Sequence, residues 1–164
     1  MKKLLIALLL AFGLSGFHSG NTAKNFTLKN LANKKMQLKD YLAEGPVLLD
    51  FWATWCKPCI KAFPKLEATH KKYSPRGFNV VAINNDSPRN QSKIKPFVKS
   101  LKVSFPVLLD PKNTTMRDFG VMVMPTSVLL SKEGEILHSV VGYKPEQYKI
   151  LERLIEEQLA GEQK

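Results

Sequence analysis

Two cysteines occur in the chain, Cys56 and Cys59, three positions apart within Trp55-Cys-Lys-Pro-Cys59. A disulfide between them closes a ring of only four residues. The stabilisation gained by closing a loop grows with loop length, so such a ring does little to hold a fold together. A structural framework would need cysteines spread along the chain. The pair is therefore expected to do chemistry: thiol–disulfide exchange, in which a thiolate attacks a disulfide sulfur and a second thiol resolves the mixed disulfide.

The elements on either side must position these sulfurs. Val47-Leu-Leu-Asp-Phe-Trp52 follows Gly45-Pro46 and is almost wholly apolar, which reads as a strand buried on both faces. From Pro58 to about Tyr73, Ile60, Phe63, Leu66 and His70 fall near one helical face, with Pro64 placed to kink the helix. The cysteines thus lie at a first helical turn, where residues three apart meet closely enough for a disulfide. Helix starts leave backbone N–H groups unpaired and carry partial positive charge. Cys56 is expected to titrate below the free-cysteine value of about 8.5 and to attack as the thiolate. Lys57 adds a modest positive charge, and Pro58 costs no helical hydrogen bond in the first turn. Cys59, one turn inward, is the expected resolving thiol. Burial would raise the pKa of Asp50, so a carboxylate there could take the Cys59 proton; the bland alternative is a partly solvated residue at a strand end. Trp55 is expected to border the site and Trp52 to pack in the core.

Further elements follow the same logic. Phe26–Leu31 and Met36–Leu38 flank Asn33 as a small N-terminal hairpin, and Phe78–Ile83 reads as a second apolar strand. A polar loop spans Asn84–Asn90, and Ile94, Phe97, Val98 and Leu101 mark a helix. Phe105–Leu109 is a short strand, followed by a short helix near Thr115–Phe119. Thr126–Leu130 and Glu135–Val141 flank Glu133-Gly134 as an antiparallel pair. A last helix from Pro145 to about Leu159 buries Tyr148, Leu151, Ile155 and Leu159. This order predicts one α/β domain, a mixed central sheet with helices on both faces.

Lys2 and Lys3 precede an apolar run from Leu4 to Leu14, shorter than the roughly 20 residues that span a bilayer. Residues 1–20 are expected to be a signal peptide or N-terminal membrane anchor, leaving 21–164 as the domain. The expected location is extracytoplasmic, in a bacterial periplasm, soluble or tethered at the N-terminus. Net charge is +11; without Lys2 and Lys3, 23 basic residues face 14 acidic ones. The basic residues are scattered and no nucleic-acid module accompanies them, so they read as a solvated surface with no nucleic-acid partner. No dinucleotide, phosphate-loop or HExxH motif occurs, so the only redox group expected is the Cys56–Cys59 disulfide, without metal or other cofactor. Zinc would need His70 or His138 to complete a ligand set, and copper is the other metal that soft thiolates select. The chain is expected to be a monomer.

Asp50-Phe-Trp-Ala-Thr-Trp-Cys-Lys-Pro-Cys59 resembles the active-site segment of the thioredoxin superfamily. Pro64 is similar to its helix proline, Met124-Pro125-Thr126 to its cis-proline loop, and Gly142 to the glycine closing its final strand. The resemblance implies a thioredoxin-like fold, a cis Pro125, and a Met124 backbone that faces the cysteines and pairs with an incoming peptide. Trp55, Lys57, Pro58, Met124 and Pro125 would then bind the partner, with Cys56, Cys59 and Asp50 catalytic. The export signal, the N-terminal hairpin and a helix–strand insertion between Pro88 and Asp110 resemble the TlpA/ResA type. That type implies reduction of disulfide-containing extracytoplasmic proteins, apocytochrome c among them, with electrons from a membrane thiol donor. Those relatives often carry Asn where Asp50 stands, and Asp86 is the approximate counterpart of their acidic loop residue. Lys57-Pro58 is similar to the reducing end of the class, whereas a midpoint above about −150 mV would mark an oxidase. Two alternatives use the same thiols: a thiol peroxidase, whose reactive cysteine usually follows Thr by three residues where this chain has Ala53, and a copper-binding assembly factor.

Overall fold

The computed structural model describes residues 21–161; the expected signal or anchor segment, 1–20, lies outside the described residues. The chain opens with the expected hairpin, β1 (Thr27–Asn30) and β2 (Lys35–Gln37), turned where Asn33 takes a left-handed φ of 65°. A short helix, α1 (Leu38–Leu42), follows directly. Next come β3 (Val47–Trp52), α2 (Lys57–Tyr73), β4 (Asn79–Asn84), α3 (Gln91–Leu101) and β5 (Val107–Leu109). The chain closes with α4 (Thr114–Asp118), β6 (Thr126–Leu130), β7 (Ile136–Val141) and α5 (Pro145–Gly161).

The seven strands of the described residues form one mixed sheet in the order β2-β1-β5-β4-β3-β6-β7. Central β3 runs parallel to β4 and antiparallel to β6, and all six of its residues are buried. Successive side chains on a strand point to opposite faces, which divides the core in two. Leu48 and Trp52 pack with Cys59, Phe63 and Leu66 of α2, Ile94 of α3, and Leu151 and Ile155 of α5. Val47, Leu49 and Phe51 pack on the other side with Leu38 and Tyr41 of α1 and with Phe119, just after α4. Helices therefore cover both faces, as the element order predicts.

Three local departures have physical causes. Leu38 continues the apparent strand alternation from Met36, but it starts α1. The Asp40 carboxylate accepts the Gln37 N–H at 2.8 Å and closes that turn, so Leu38 and Tyr41, one turn apart, are buried together. Strand β5 is shorter than the apolar run because Pro106 has no N–H to donate, although its carbonyl still accepts the Ala82 N–H at 2.9 Å. Asn84 belongs to β4, and Pro88–Asn90 winds into a single 3-10 turn before α3. Helix α2 is continuous through Pro64. Gly77, with φ of 91°, has a specific reason to be glycine: a Cβ there would meet the Glu44 carbonyl oxygen at 2.6 Å.

Candidate active site

The β3–β6 register places Phe51 opposite Thr126. Because the strands are antiparallel, the carboxyl end of β3, where the cysteines follow, meets the start of β6, where Met124 and Pro125 precede it. The Gly142 N–H donates to the Pro125 carbonyl at 2.7 Å, which ties the end of β7 to the same corner.

Cys56 is the N-cap of the 17-residue helix α2, in an extended conformation, and Lys57 and Pro58 begin the helix. Its sulfur accepts the Cys59 N–H at 3.3 Å. The sulfur of Cys56 thus occupies the place of the side-chain oxygen in an ordinary cap, at the positive end of the helix. The two cysteines form a disulfide, S–S 1.99 Å and Cα–Cα 5.3 Å. Cys59 has no exposed surface and Cys56 keeps 4%, so an approaching sulfur meets Cys56 first. Lys57 and Pro58 are exposed. Trp52 is fully buried against Phe63, ring centroids 4.9 Å apart, whereas Trp55 stands 66% exposed.

The Met124–Pro125 peptide is cis. Pro125 is buried and Met124 half-buried, packed between the two halves of the core. Met122, Val123 and Val141 join Trp55 as the exposed large hydrophobic residues among the described residues, and all four belong to segments at the cysteine end of the sheet. A cleft of about 360 Å³ beside Trp55 is lined by Thr54, Asn90, Lys93 and Phe97. Sequence reasoning missed this cleft, although Phe97 was legible as part of an apolar helix face. Larger clefts, one of them lined by Phe26, Leu28, Asp110 and Thr115, contain no cysteine.

Two fully buried carboxyl groups belong to the elements that flank the site, Asp50 in β3 and Asp86 just after β4. Asp50 is fully buried, which excludes the solvated alternative. Its Oδ1 accepts the Ser127 hydroxyl at 2.7 Å, while Oδ2 has no partner. Burial pushes its pKa up to about 7, and the Ser127 hydrogen bond opposes that rise. Alternation along β3 puts Asp50 on the face of Leu48 and Trp52, the side of the sheet that carries Cys59. Asp86, also fully buried, holds the turn between β3 and α2. Its Oδ2 accepts the Thr54 N–H and the Asn84 amide, each at 2.8 Å, and its Oδ1 accepts the Thr54 hydroxyl at 2.8 Å. Its positioning role was not visible beforehand, because Thr54 is 32 residues away in sequence.

His70 lies half-buried on α2, its Nδ1 accepting the Val80 N–H at 3.4 Å and its pKa lowered by burial. Among the described residues no group of three or more His, Cys, Asp or Glu side chains is placed to hold a metal ion.

The sequence matches the model of the AhpC/TSA family over residues 19–139, and the chain belongs to that family. The thiol-disulfide oxidoreductase ResA of Bacillus thuringiensis subsp. konkukian is 37% identical over 123 residues, 75% of this chain and 69% of that protein. ResA of Bacillus subtilis is 34% identical over 130 residues, 79% of this chain and 71% of that protein. Among solved structures, a protein described as the thiol:disulfide interchange protein DsbE of Chlorobium tepidum superposes with a TM-score of 0.78. It is 36% identical, and the match covers 85% of this chain and 96% of that one. The fold is thioredoxin-like, and the paired cysteines together with these relatives make the chain a thiol–disulfide oxidoreductase of the ResA type.

Proposed function

We propose that the protein is an extracytoplasmic reductant of disulfides in partner proteins, with cytochrome c maturation as one setting and a membrane thiol protein as its electron donor. Cys56 at the helix N-cap carries this reading: backbone N–H groups and the helix dipole favour its thiolate. The lysine-led apolar run at residues 4–14 supports export.

In the reduced protein the Cys56 thiolate attacks one sulfur of the partner's disulfide, and the other partner sulfur leaves as a thiolate that takes its proton from water. Cys59 gives its proton to Asp50 and attacks the Cys56 sulfur. The partner departs with both sulfurs reduced, and the protein is left with the disulfide described above. The membrane donor then returns two electrons. Exposed Trp55, Met122 and Val123 supply apolar contact for the partner chain, and the Met124–Pro125 loop would pair with it as an added strand. A peroxidase reading gains no support from Thr54, whose hydroxyl is given to Asp86.

Cys59→Ser tests the roles of the two thiols. Reduced Cys59→Ser protein mixed with oxidised insulin should accumulate a disulfide-linked adduct, visible by mass and reversed by dithiothreitol. Absence of the adduct, with the wild type still reducing insulin, would overturn the assignment.

A further inference from the structure

We propose that Ser127 is a positioning residue for proton transfer at the dithiol: its hydroxyl holds Oδ1 of Asp50 and leaves Oδ2 as the atom that takes the proton of Cys59. The inference rests on the reading of Asp50 as proton acceptor.

Ser127 is the residue opposite Asp50 in the β3–β6 ladder, two positions after Pro125. Both side chains are buried, and the hydroxyl donates to Oδ1 at 2.7 Å. A charge-assisted bond of this kind fixes the carboxylate and stabilises its anion. Oδ2 is buried without a partner, a costly state in a structure that meets most buried polar atoms. A group that must repeatedly gain and lose a proton has reason to keep one oxygen open. Every neighbouring element contributes to this environment. Helix α5 brings buried Tyr148, whose pKa is raised first by burial and then by the Asp50 charge. Helix α2 brings Cys59 on the same side of the sheet, and β4 brings only Ala82 opposite Asp50. Burial and the Ser127 hydroxyl set the Asp50 pKa between them. In the step itself the Cys59 S–H bond breaks as an O–H bond forms at Oδ2. The new thiolate attacks the Cys56 sulfur, and the outgoing thiolate takes the electron pair of the broken S–S bond.

The reaction of reduced protein with 5,5′-dithiobis(2-nitrobenzoate) reads this step. The first thionitrobenzoate release reports attack by Cys56, and the second reports attack by Cys59. The pH profile of the second release should have a midpoint near 7 in the wild type. Ser127→Ala removes a donor to the anion and should move that midpoint up by about one pH unit, with the first release unchanged. Asp50→Asn should abolish this titration, and adding Ser127→Ala to it should change nothing further. A midpoint unmoved by Ser127→Ala overturns the role of Ser127 while leaving Asp50 in place. An Asp50→Asn profile identical to wild type overturns the Asp50 reading itself. If Ser127→Ala slows the second release equally with and without Asp50, Ser127 is merely structural and the proposal fails.

Discussion

Asp50 and Asp86 lie on either side of the same strand-to-helix turn, both without exposed surface, and their surroundings differ in kind. Asp86 has a donor at each oxygen: the Thr54 N–H and the Asn84 amide at one, the Thr54 hydroxyl at the other. Asp50 has one donor, Ser127, and one bare oxygen. Burial without full hydrogen bonding favours the neutral acid, and the Asp50 pKa rises to about 7. Equal burial thus goes with a fully hydrogen-bonded carboxyl group in one place and a half-satisfied one with a raised pKa in the other. Counting donors, rather than measuring burial, separates the two.

The largest expected effect breaks the comparison at Asp50. In the folded, oxidised protein Asp50 keeps its proton to about pH 7, whereas an unfolded chain releases it near 3.9. The folded state therefore binds more protons between those values. Stability contributed by the neutral acid is complete below the lower value and is lost as pH rises to the upper one. The loss for the full shift is on the order of 4 kcal/mol. Unfolding of wild type and Asp50→Asn by urea, from pH 4 to pH 8, should give a difference that moves by that amount in favour of the variant. A flat difference would place Asp50 among the braces.

Asp86→Ala should act in the opposite direction. The substitution strands the Thr54 N–H and the Asn84 amide and leaves a void where the carboxyl group was. It should cost about 2–4 kcal/mol, measured by urea unfolding at constant pH. Thionitrobenzoate release at Cys56 should also change, because the turn before it loses its anchor. A cost below about 0.5 kcal/mol, the usual range for surface positions, would contradict the bracing role.

What was legible in the sequence divides along similar lines. The Val47–Trp52 run and the Ile60, Phe63, Leu66 spacing of α2 announce themselves, because burial on both faces or on one helical stripe dictates residue type position by position. An aspartate inside such a run is conspicuous, so Asp50 could be singled out. Ser127 could not: a serine in a strand carries no signal until the β3–β6 register sets it opposite Asp50. Asp86 sits in the polar stretch Asn84-Asn-Asp-Ser-Pro88; the resemblance gives it an approximate counterpart, but nothing in the stretch marks it as a brace for Thr54. Helix α1 was hidden because five residues hold too few turns for a period. Its start is held by bonds from the Gln37 N–H to Asp40 and from the Lys39 N–H to the distant Asn25 side chain, which no periodicity announces.

The smallest effect sharpens the comparison from the partner's side. Thr54→Val keeps the shape of the side chain and the backbone N–H bond to Oδ2, and removes only the hydroxyl bond to Oδ1. Asp86 then resembles Asp50, with one oxygen bare. The fold should lose about 1 kcal/mol, measured by urea unfolding at constant pH. The Asp50 titration in the second thionitrobenzoate release should stay where it is, since Thr54 makes no bond to Asp50. A variant as stable as wild type would show that the hydroxyl donor adds nothing to the brace, and that donor number alone does not set the behaviour of these two carboxyl groups.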